Sequence, residues 1–271
     1  MSTWIHNLKT RLEDRPVVIL HGNVREKYID AEGRVYENLT ALLTAMSQAL
    51  PLSFAELVFY DPVGHERRQD LTQLSTQRRA AALGNDELAA TASTAQPASQ
   101  RIPPSRVLAN WVRQWSANNR NCFVTVFYLD KLVAYKTAYQ DDEREILLWL
   151  EKVIENMTPN HRLVLVALQD TLIPIELYTN SPKTCVLPIP IPEKTDRLAY
   201  LKHRLGEKHP HLELVGDLTD GLFLRDLDSI VSALSGQADL GTREVRRLVN
   251  RYRIGEQEDR WGTLSNSRRK S

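Results

Sequence analysis

Short apolar runs separated by amphipathic stretches form the pattern of the chain up to about residue 193. Each run is continuous and does not alternate with polar residues, which is typical of strands covered on both faces in a parallel sheet. The runs predict five strands, at Val17–Leu20, Leu57–Tyr60, Phe123–Leu129, Leu163–Leu168 and Val186–Ile191. Apolar positions at helical spacing predict helices between them, at Glu37–Leu50, Ser105–Asn119 and Asp141–Met157. This alternation predicts an α/β fold, a five-stranded parallel sheet with flanking helices.

After residue 193 the strand signal ends and amphipathic stretches follow one another, which predicts a small all-helical lid. The predicted domains are an α/β core at 1–192, the lid at 193–240, and a C-terminal helix with a tail at 241–271. Within the core, residues 62–104 are rich in Gln, Ala, Thr and Ser. That composition predicts a mobile surface insertion.

Charge and cysteine usage narrow the function classes. The 271 residues carry a formal net charge of +1, so the chain as a whole does not attract nucleic acid or membrane, and any such binding needs a local patch. The two cysteines, Cys122 and Cys185, lie in apolar runs, which is typical of buried thiols in a reducing compartment. We expect a cytoplasmic protein with no membrane partner, since no apolar run is long enough to span a bilayer.

The residues after the first predicted strand partly match a phosphate-binding loop. Val17–Leu20 is followed by Gly22 and then by Lys27, where a phosphate-binding protein carries G-x-x-x-x-G-K-[ST]. The second glycine and the Ser/Thr are missing, and none of the 11 glycines is followed by lysine. Gly22 and Lys27 are candidate phosphate-binding residues, and the other interpretation is an ordinary strand end followed by a solvated helical turn around Arg25-Glu26-Lys27.

Three further strings, in order, resemble motifs of one family. FVTVFYLDK, at 123–131, resembles a Walker B strand, and HRLVLVALQDT, at 161–171, resembles a strand that ends in a polar sensor residue. The third string begins at Pro188, leads into a helix with Arg197, and continues to a T-x-G motif at Thr219 and Gly221, followed by Leu222, Asp226 and Leu227. Over roughly residues 15–235 the chain resembles the AAA+ ATPases of the P-loop NTPase superfamily. Its end, Leu248–Leu264, resembles the linker that follows the inactive first module of some tandem AAA+ proteins.

The resemblance implies roles for particular residues and also shows departures. It implies that Gly22 and Lys27 bind phosphate, Asp130 holds magnesium, Gln169 is the sensor residue, and Arg225 reaches nucleotide from the lid. Lys131 stands where the family has its catalytic glutamate, and the segment at 171–185 contains no arginine finger. Instead of holding magnesium, Asp130 could pair with Lys131 or cap the next helix.

These departures favour a catalytically degenerate AAA+-like subunit with a structural or regulatory role in an AAA+ assembly. Enzymatic activity is left open and not favoured, no cofactor is expected, and the partners are AAA+ ATPase subunits in a homo- or hetero-oligomer. One alternative is an AAA+ protein that binds or hydrolyses ATP with magnesium at a non-standard site. A second is a nucleic-acid-binding module that uses the arginine-rich helix around Arg247. The residues predicted to bind a partner are Arg247, Arg251, Tyr252 and Trp261.

Overall fold

The computed structural model describes residues 3–63, 65–71, 102–117, 120–235 and 241–254. Contacts along the chain divide it into two compact units. The sheet unit comprises residues 6–24 and 40–189, and the helical unit comprises the described parts of 1–5, 25–39 and 190–271. Residues 25–39, which follow the first strand, therefore group with the C-terminal helices. The domain boundaries drawn from the sequence stay a prediction.

The described residues form eight strands, which include those of a short hairpin. They are β1 (Val17–Gly22), β2 (Tyr28–Ile29), β3 (Val35–Tyr36), β4 (Glu56–Asp61), β5 (His65–Asp70), β6 (Cys122–Val126), β7 (Arg162–Val166) and β8 (Thr184–Ile189).

Nine α-helices lie in the same described ranges, together with 3-10 turns at Asp170–Leu172 and Ile175–Leu177. The helices are α1 (Thr3–Asp14), α2 (Leu39–Ala49), α3 (Pro104–Ala117), α4 (Leu129–Leu132), α5 (Asp141–Asn156), α6 (Lys194–Leu205), α7 (Leu212–Leu218), α8 (Leu224–Ser235) and α9 (Thr242–Ile254).

The sheet unit is built on a mostly parallel sheet of six strands in the order β5-β4-β6-β7-β1-β8. Five strands are parallel, and β5 pairs antiparallel with β4 at one edge. The α/β class and the parallel arrangement are confirmed, whereas the sixth strand was not predicted. β5 lies inside the segment predicted as a mobile insertion, of which residues 72–101 fall outside the described ranges.

All five predicted strands differ from the observed bounds by one to three residues, and two of the differences are informative. β6 ends at Val126 because Tyr128 adopts the left-handed conformation, with φ of 57°, and α4 begins at Leu129. β8 covers Thr184–Ile189, two residues earlier than the apolar run suggested.

Both sets of alternate residues in the central strands are buried, as the continuous apolar runs predicted. One set packs with α3 and α5 in a single core cluster that includes Ile19, Val124, Leu165, Trp111 and Leu150. In the other set, Val18, Phe123 and Val164 are 0% exposed. Burial of this kind stabilises by roughly 25 cal/mol per Å² of apolar surface removed from water. The core therefore fixes the carboxyl ends of the parallel strands, where the candidate residues lie.

The helical unit has a core of its own. Tyr200, Leu227, Ile230 and Val245 form it with Ile29 from the β2–β3 hairpin. Three of its helices follow the predicted amphipathic stretches, while α7 was not predicted. At the T-x-G motif, the buried Thr219 hydroxyl donates to the Val215 carbonyl at 2.7 Å, and Gly221 has φ of 77°, which ends α7 and turns the chain toward α8.

Candidate functional site

The carboxyl ends of β1, β6 and β7 lie along one edge of the sheet unit because these strands are parallel. Leu168, just after β7, connects two of the predicted residues there. Its carbonyl accepts a hydrogen bond from the Gly22 N–H at 3.2 Å, and its own N–H donates to Asp130 Oδ1 at 3.2 Å. Gln169 is the next residue and is exposed. The structure thus brings Gly22, Asp130 and Gln169 to the same edge, where open α/β sheets bind ligands.

The backbone of the loop after β1 is bonded within the protein. The Gly22, Asn23 and Val24 N–H groups donate to the carbonyls of Leu168, Ile189 and Gly22, at 3.2, 3.1 and 2.8 Å. A phosphate loop works by presenting successive N–H groups to phosphate oxygens. The first two of these N–H groups instead bond to residues at the ends of the neighbouring strands, and the Val24 N–H closes a local turn on Gly22.

Gly22 is required here by geometry. Its φ is 95°, and a Cβ at this position would lie 2.9 Å from the Ile189 carbonyl oxygen. This glycine therefore permits close approach of β1 to β8, so its presence does not by itself indicate a phosphate site.

Asp130 is enclosed and has a counter-ion. Its side chain is 0% exposed, and Oδ2 lies 3.4 Å from the ammonium of Lys131. The pairing with Lys131, one of the alternatives drawn from the sequence, is therefore present. In the described parts of the chain, no cluster of three or more His, Cys, Asp or Glu side chains could hold a metal ion.

The segment after Val24 folds differently from the predicted helical turn. Residues 28–36 form the β2–β3 hairpin, and the next helix, α2, begins only at Leu39. Glu26 is 3% exposed, so the interpretation of Arg25-Glu26-Lys27 as a solvated helical turn is wrong. No helix N-terminus directly follows β1 to attract an anion.

Lys27 is bound by two carboxylates within the helical unit. Its ammonium lies 2.6 Å from Asp228 Oδ2 and 2.7 Å from Glu37 Oε2, and its side chain is 16% exposed. Burial lowers the pKa of Lys27, but the hydrogen bonds to Asp228 and Glu37 outweigh it and raise the pKa overall. Lys27 is therefore charged, and that charge is already compensated.

Asp228 is shared by several partners. Besides Lys27, it accepts a hydrogen bond from the hydroxyl of the buried Tyr200, and Arg204 lies 3.5 Å away. Burial raises the pKa of Asp228, but the hydrogen bonds from Lys27 and Tyr200 lower it further, so it stays below its ordinary value. Burial, followed by the bond to Asp228, raises the pKa of Tyr200 to about 12.

Glu26 lies at the N-terminus of α8. Its Oε2 accepts the Leu224 N–H at 3.1 Å and its Oε1 accepts the Arg225 N–H at 2.9 Å, although 198 and 199 residues separate them in the chain. Oε1 also accepts the Lys27 N–H at 2.7 Å. Burial raises the pKa of Glu26, against the lowering effect of these backbone bonds. The first N–H groups of a helix favour a negative charge, and a carboxylate of the chain supplies it here.

The remaining predicted residues lie on the surface of the helical unit or outside the described ranges. Arg225 donates to the Arg25 carbonyl at 3.0 Å, and its guanidinium lies over the ring of Phe223. On α9, Arg247 and Arg251 are exposed and Tyr252 is 48% exposed. Trp261 lies outside the described residues.

The sequence did not point to Asp228 and Glu37 as ion-pair partners of Lys27, or to Tyr200 as a hydrogen-bond partner of Asp228. Asp228 and Tyr200 lie in helices far along the chain from residue 27, and only folding brings them together. The absence of a second loop glycine was the one available signal, since a side chain of the size of Glu26 does not fit a phosphate cradle.

Comparison with known proteins places the fold. A family model described as "AAA+ chaperone, N-terminal Rossmann-like domain" matches residues 1–190. A solved chain from the E. coli MS115-1 HORMA:CdnC:Trip13 complex is similar, with a TM-score of 0.52 and 12% sequence identity over 91% of this chain and 77% of that chain. At that identity the likeness shows the fold alone. No curated protein sequence matches the chain.

In the described part of the chain, no helix is long and apolar enough to cross a membrane. The family match spans well over half of the residues, and the order of strands and helices agrees with the resemblance seen in the motifs. The chain therefore belongs to the AAA+ chaperone family, of which it carries the N-terminal Rossmann-like domain.

Proposed function

We propose that the protein is a catalytically degenerate AAA+ subunit that acts structurally or as a regulator in an AAA+ assembly. The observation that carries this proposal is that the residues at the phosphate-loop position are bonded to other groups of the protein. The lysine there is bound by Asp228 and Glu37, and the N–H groups of Gly22, Asn23 and Val24 donate to protein carbonyls.

Binding of a triphosphate at this position would require several of these interactions to break. Lys27 would have to leave two carboxylates within 2.7 Å, and at least one loop N–H would have to leave a carbonyl. Each hydrogen bond broken within the protein forfeits about 0.5–1.5 kcal/mol of stabilisation, and more where a charge is involved. Glu26 would add a negative charge beside the phosphates. Ground-state binding of ATP is therefore unfavourable.

The catalytic groups are also replaced. Asp130, the candidate magnesium ligand, is paired with Lys131, the residue at the position of the catalytic glutamate. Removal of a single transition-state donor typically costs about 3–4 kcal/mol, so the combined losses leave no efficient route to hydrolysis. Neither ATP nor magnesium is expected as a cofactor.

With nucleotide hydrolysis disfavoured, we expect the protein to act by binding other proteins. The similar solved chain comes from a complex that contains HORMA, CdnC and Trip13, which makes assembly with other proteins a reasonable expectation for this chain. Arg247, Arg251 and the half-exposed Tyr252 on α9 offer a surface for such contacts.

Size-exclusion chromatography with light scattering tests the proposal. The protein is run alone and mixed with a co-encoded AAA+ ATPase, and the ATPase activity of the mixture is measured. We expect a defined complex whose ATPase activity comes entirely from the partner. A Walker B variant of the partner should therefore abolish the activity of the mixture. Magnesium-dependent ATPase activity of this protein alone, lost in Asp130→Ala, would overturn the proposal.

A nucleic-acid-binding role is a second candidate, favoured by one observation. Arg243, Arg247 and Arg251 are all exposed on α9, and their i, i+4, i+8 spacing places successive side chains about 6 Å apart along the helix. A gel-shift titration at several salt concentrations tests it. Steep weakening with salt, reduced by Arg247→Glu with Arg251→Glu, would support this role. The charge-matched control combines Arg144→Glu with Lys152→Glu, both exposed on α5.

A further inference from the structure

We propose that Glu26 and Lys27 form an intramolecular latch that holds residues 25–39 on the C-terminal helices without any ligand. The latch rests on the proposed function, because it explains how a phosphate-loop position stays ordered when no phosphate is bound. It adds a regulatory property: residues 25–39 stay ordered whether or not nucleotide is present.

The first anchor is the carboxylate of Glu26. It accepts the N–H groups of Leu224 and Arg225, the first two residues of the 12-residue helix α8. An anion in that position is favoured by the unpaired N–H groups and by the helix dipole. Glu26 thus makes with its own chain the contacts that a bound anion makes at a helix N-terminus.

The second anchor is the ammonium of Lys27. It contacts Asp228 within α8 and Glu37 at the far end of the same segment. One cation therefore ties both ends of residues 25–39 to α8. Glu37 is 64% exposed, so most of the stabilisation comes from Asp228, whose side chain is 28% exposed.

The segment between the anchors has hydrogen bonds of its own and one side chain in the core of the helical unit. Asp30 is 7% exposed and accepts the N–H groups of Glu32 and Arg34, the Arg34 Nε–H and the Tyr36 hydroxyl, at 2.8–3.0 Å. Ile29 is buried in the core of the helical unit. The hairpin is therefore held by its own hydrogen bonds and by Ile29, and the two anchors fix it at its base.

Three charged or titratable side chains interact with the Glu26 carboxylate: Arg225 and Asp226 from α8, and Tyr28 from its own segment. Burial is the largest influence on the pKa of Glu26 and raises it, Arg225 lowers it, and Asp226 raises it. Replacing Glu26 by glutamine keeps its shape but puts an NH₂ group where one of the backbone N–H groups needs an acceptor.

Amide hydrogen exchange measured by mass spectrometry tests the latch. Wild type, Glu26→Gln and Glu32→Gln are compared, each with and without millimolar ATP and magnesium. Glu32 lies in the same hairpin with a 66% exposed side chain, so Glu32→Gln is the matched control. Peptides from β7 serve as the internal reference for global folding.

We expect Glu26→Gln to increase exchange about tenfold in peptides from 25–39 and 224–228, with β7 unchanged. Glu32→Gln should leave both peptides as in wild type, and ATP should change nothing in wild type. The latch is refuted if Glu26→Gln leaves exchange unaltered, or if ATP slows exchange of 25–39 in wild type.

A second variant keeps the test informative if Glu26→Gln unfolds the protein. Asp228→Asn keeps the Glu26 cap but weakens the Lys27 anchor, so exchange should rise in 25–39 and rise less at 224–225. Equal increases at both places would contradict two separate anchors. Failure of the latch is distinguishable from failure of the proposed function, because assembly with the partner ATPase is measured separately by light scattering.

Discussion

Replacement of Lys27 by methionine separates a structural lysine from a phosphate-binding one. Methionine keeps the length and apolar stem of the side chain but removes the ammonium that contacts Asp228 and Glu37. If Lys27 serves the fold, Lys27→Met lowers stability in the absence of any ligand. If Lys27 awaits a phosphate, the same change leaves the unliganded protein as stable as before.

The expected magnitude follows from the burial of the pair. Removal of one partner from a fully buried ion pair costs about 3–5 kcal/mol, and exposed pairs are worth about 0–1 kcal/mol. The Lys27 and Asp228 side chains are 16% and 28% exposed, which places the loss between these limits, at about 1.5–3 kcal/mol. Tyr200 and Arg204 remain with Asp228 and limit the loss. For a protein of this size the melting temperature falls by roughly 2–4 °C per kcal/mol.

Urea denaturation followed by circular dichroism gives the free energy of unfolding. Lys194→Met is the matched control, because Lys194 is 46% exposed and its ammonium lies 2.6 Å from Asp217, which is 61% exposed. We expect the control to lose less than about 1 kcal/mol. A double-mutant cycle with Asp228→Asn should give a coupling energy of about 1–2 kcal/mol. The reasoning fails if Lys27→Met is no less stable than Lys194→Met.

Three further predictions concern stability. Gly22→Ala should lose about 1–3 kcal/mol in urea denaturation, more than Gly33→Ala, because both glycines have positive φ but only Gly22 also faces a carbonyl at 2.9 Å. Thr125→Val should be neutral or gain about 1 kcal/mol by the same assay, since the buried Thr125 hydroxyl has no hydrogen-bond partner; a clear loss would contradict this. Unfolding measured from pH 7 to pH 3 should separate two carboxylates. Because the pKa of Glu26 is raised, wild type should gain stability relative to Glu26→Gln as the pH falls toward 4.5. Because the pKa of Asp228 is lowered, wild type should lose its stability advantage over Asp228→Asn below about pH 3.8. The opposite trends would refute the assignment.

The sheet could be predicted from the sequence where its strands are buried on both faces. Val17–Leu20 and Leu163–Leu168 are continuous apolar runs, and the hydrophobic effect favours burial of both of their faces. β5 could not be found in this way because its sequence, HERRQD, is polar throughout. It is an edge strand held by charge: Arg68 contacts Glu56 and Glu66 at 3.2 and 2.6 Å. Charged edge strands avoid pairing with other chains, and the same charge hides them from a search for apolar runs.

The candidate site was predictable in position but not in bonding. The order of the strands placed Gly22, Asp130 and Gln169 at the ends of parallel strands, and these ends share one edge of the sheet. Asp228, one partner of Lys27, and the N–H groups that Glu26 binds come from α8, roughly 200 positions away, as the 198-residue separation from Leu224 shows. A sequence pattern records neighbours along a helix or strand, whereas such tertiary contacts depend on how the helices pack. The departures from the phosphate-loop motif indicated a lost function without showing what replaced it.

Thermal unfolding with and without nucleotide tests the central claim most directly, namely that the phosphate-loop position no longer binds nucleotide. Wild type and Lys27→Ala are melted with millimolar ATP and magnesium and with magnesium alone. A ligand that binds the folded state raises its stability by RT ln(1 + [L]/Kd), so binding at micromolar Kd would shift the melting temperature by several degrees. The account predicts a shift of no more than about 1 °C for wild type. A shift of several degrees that disappears in Lys27→Ala would contradict it.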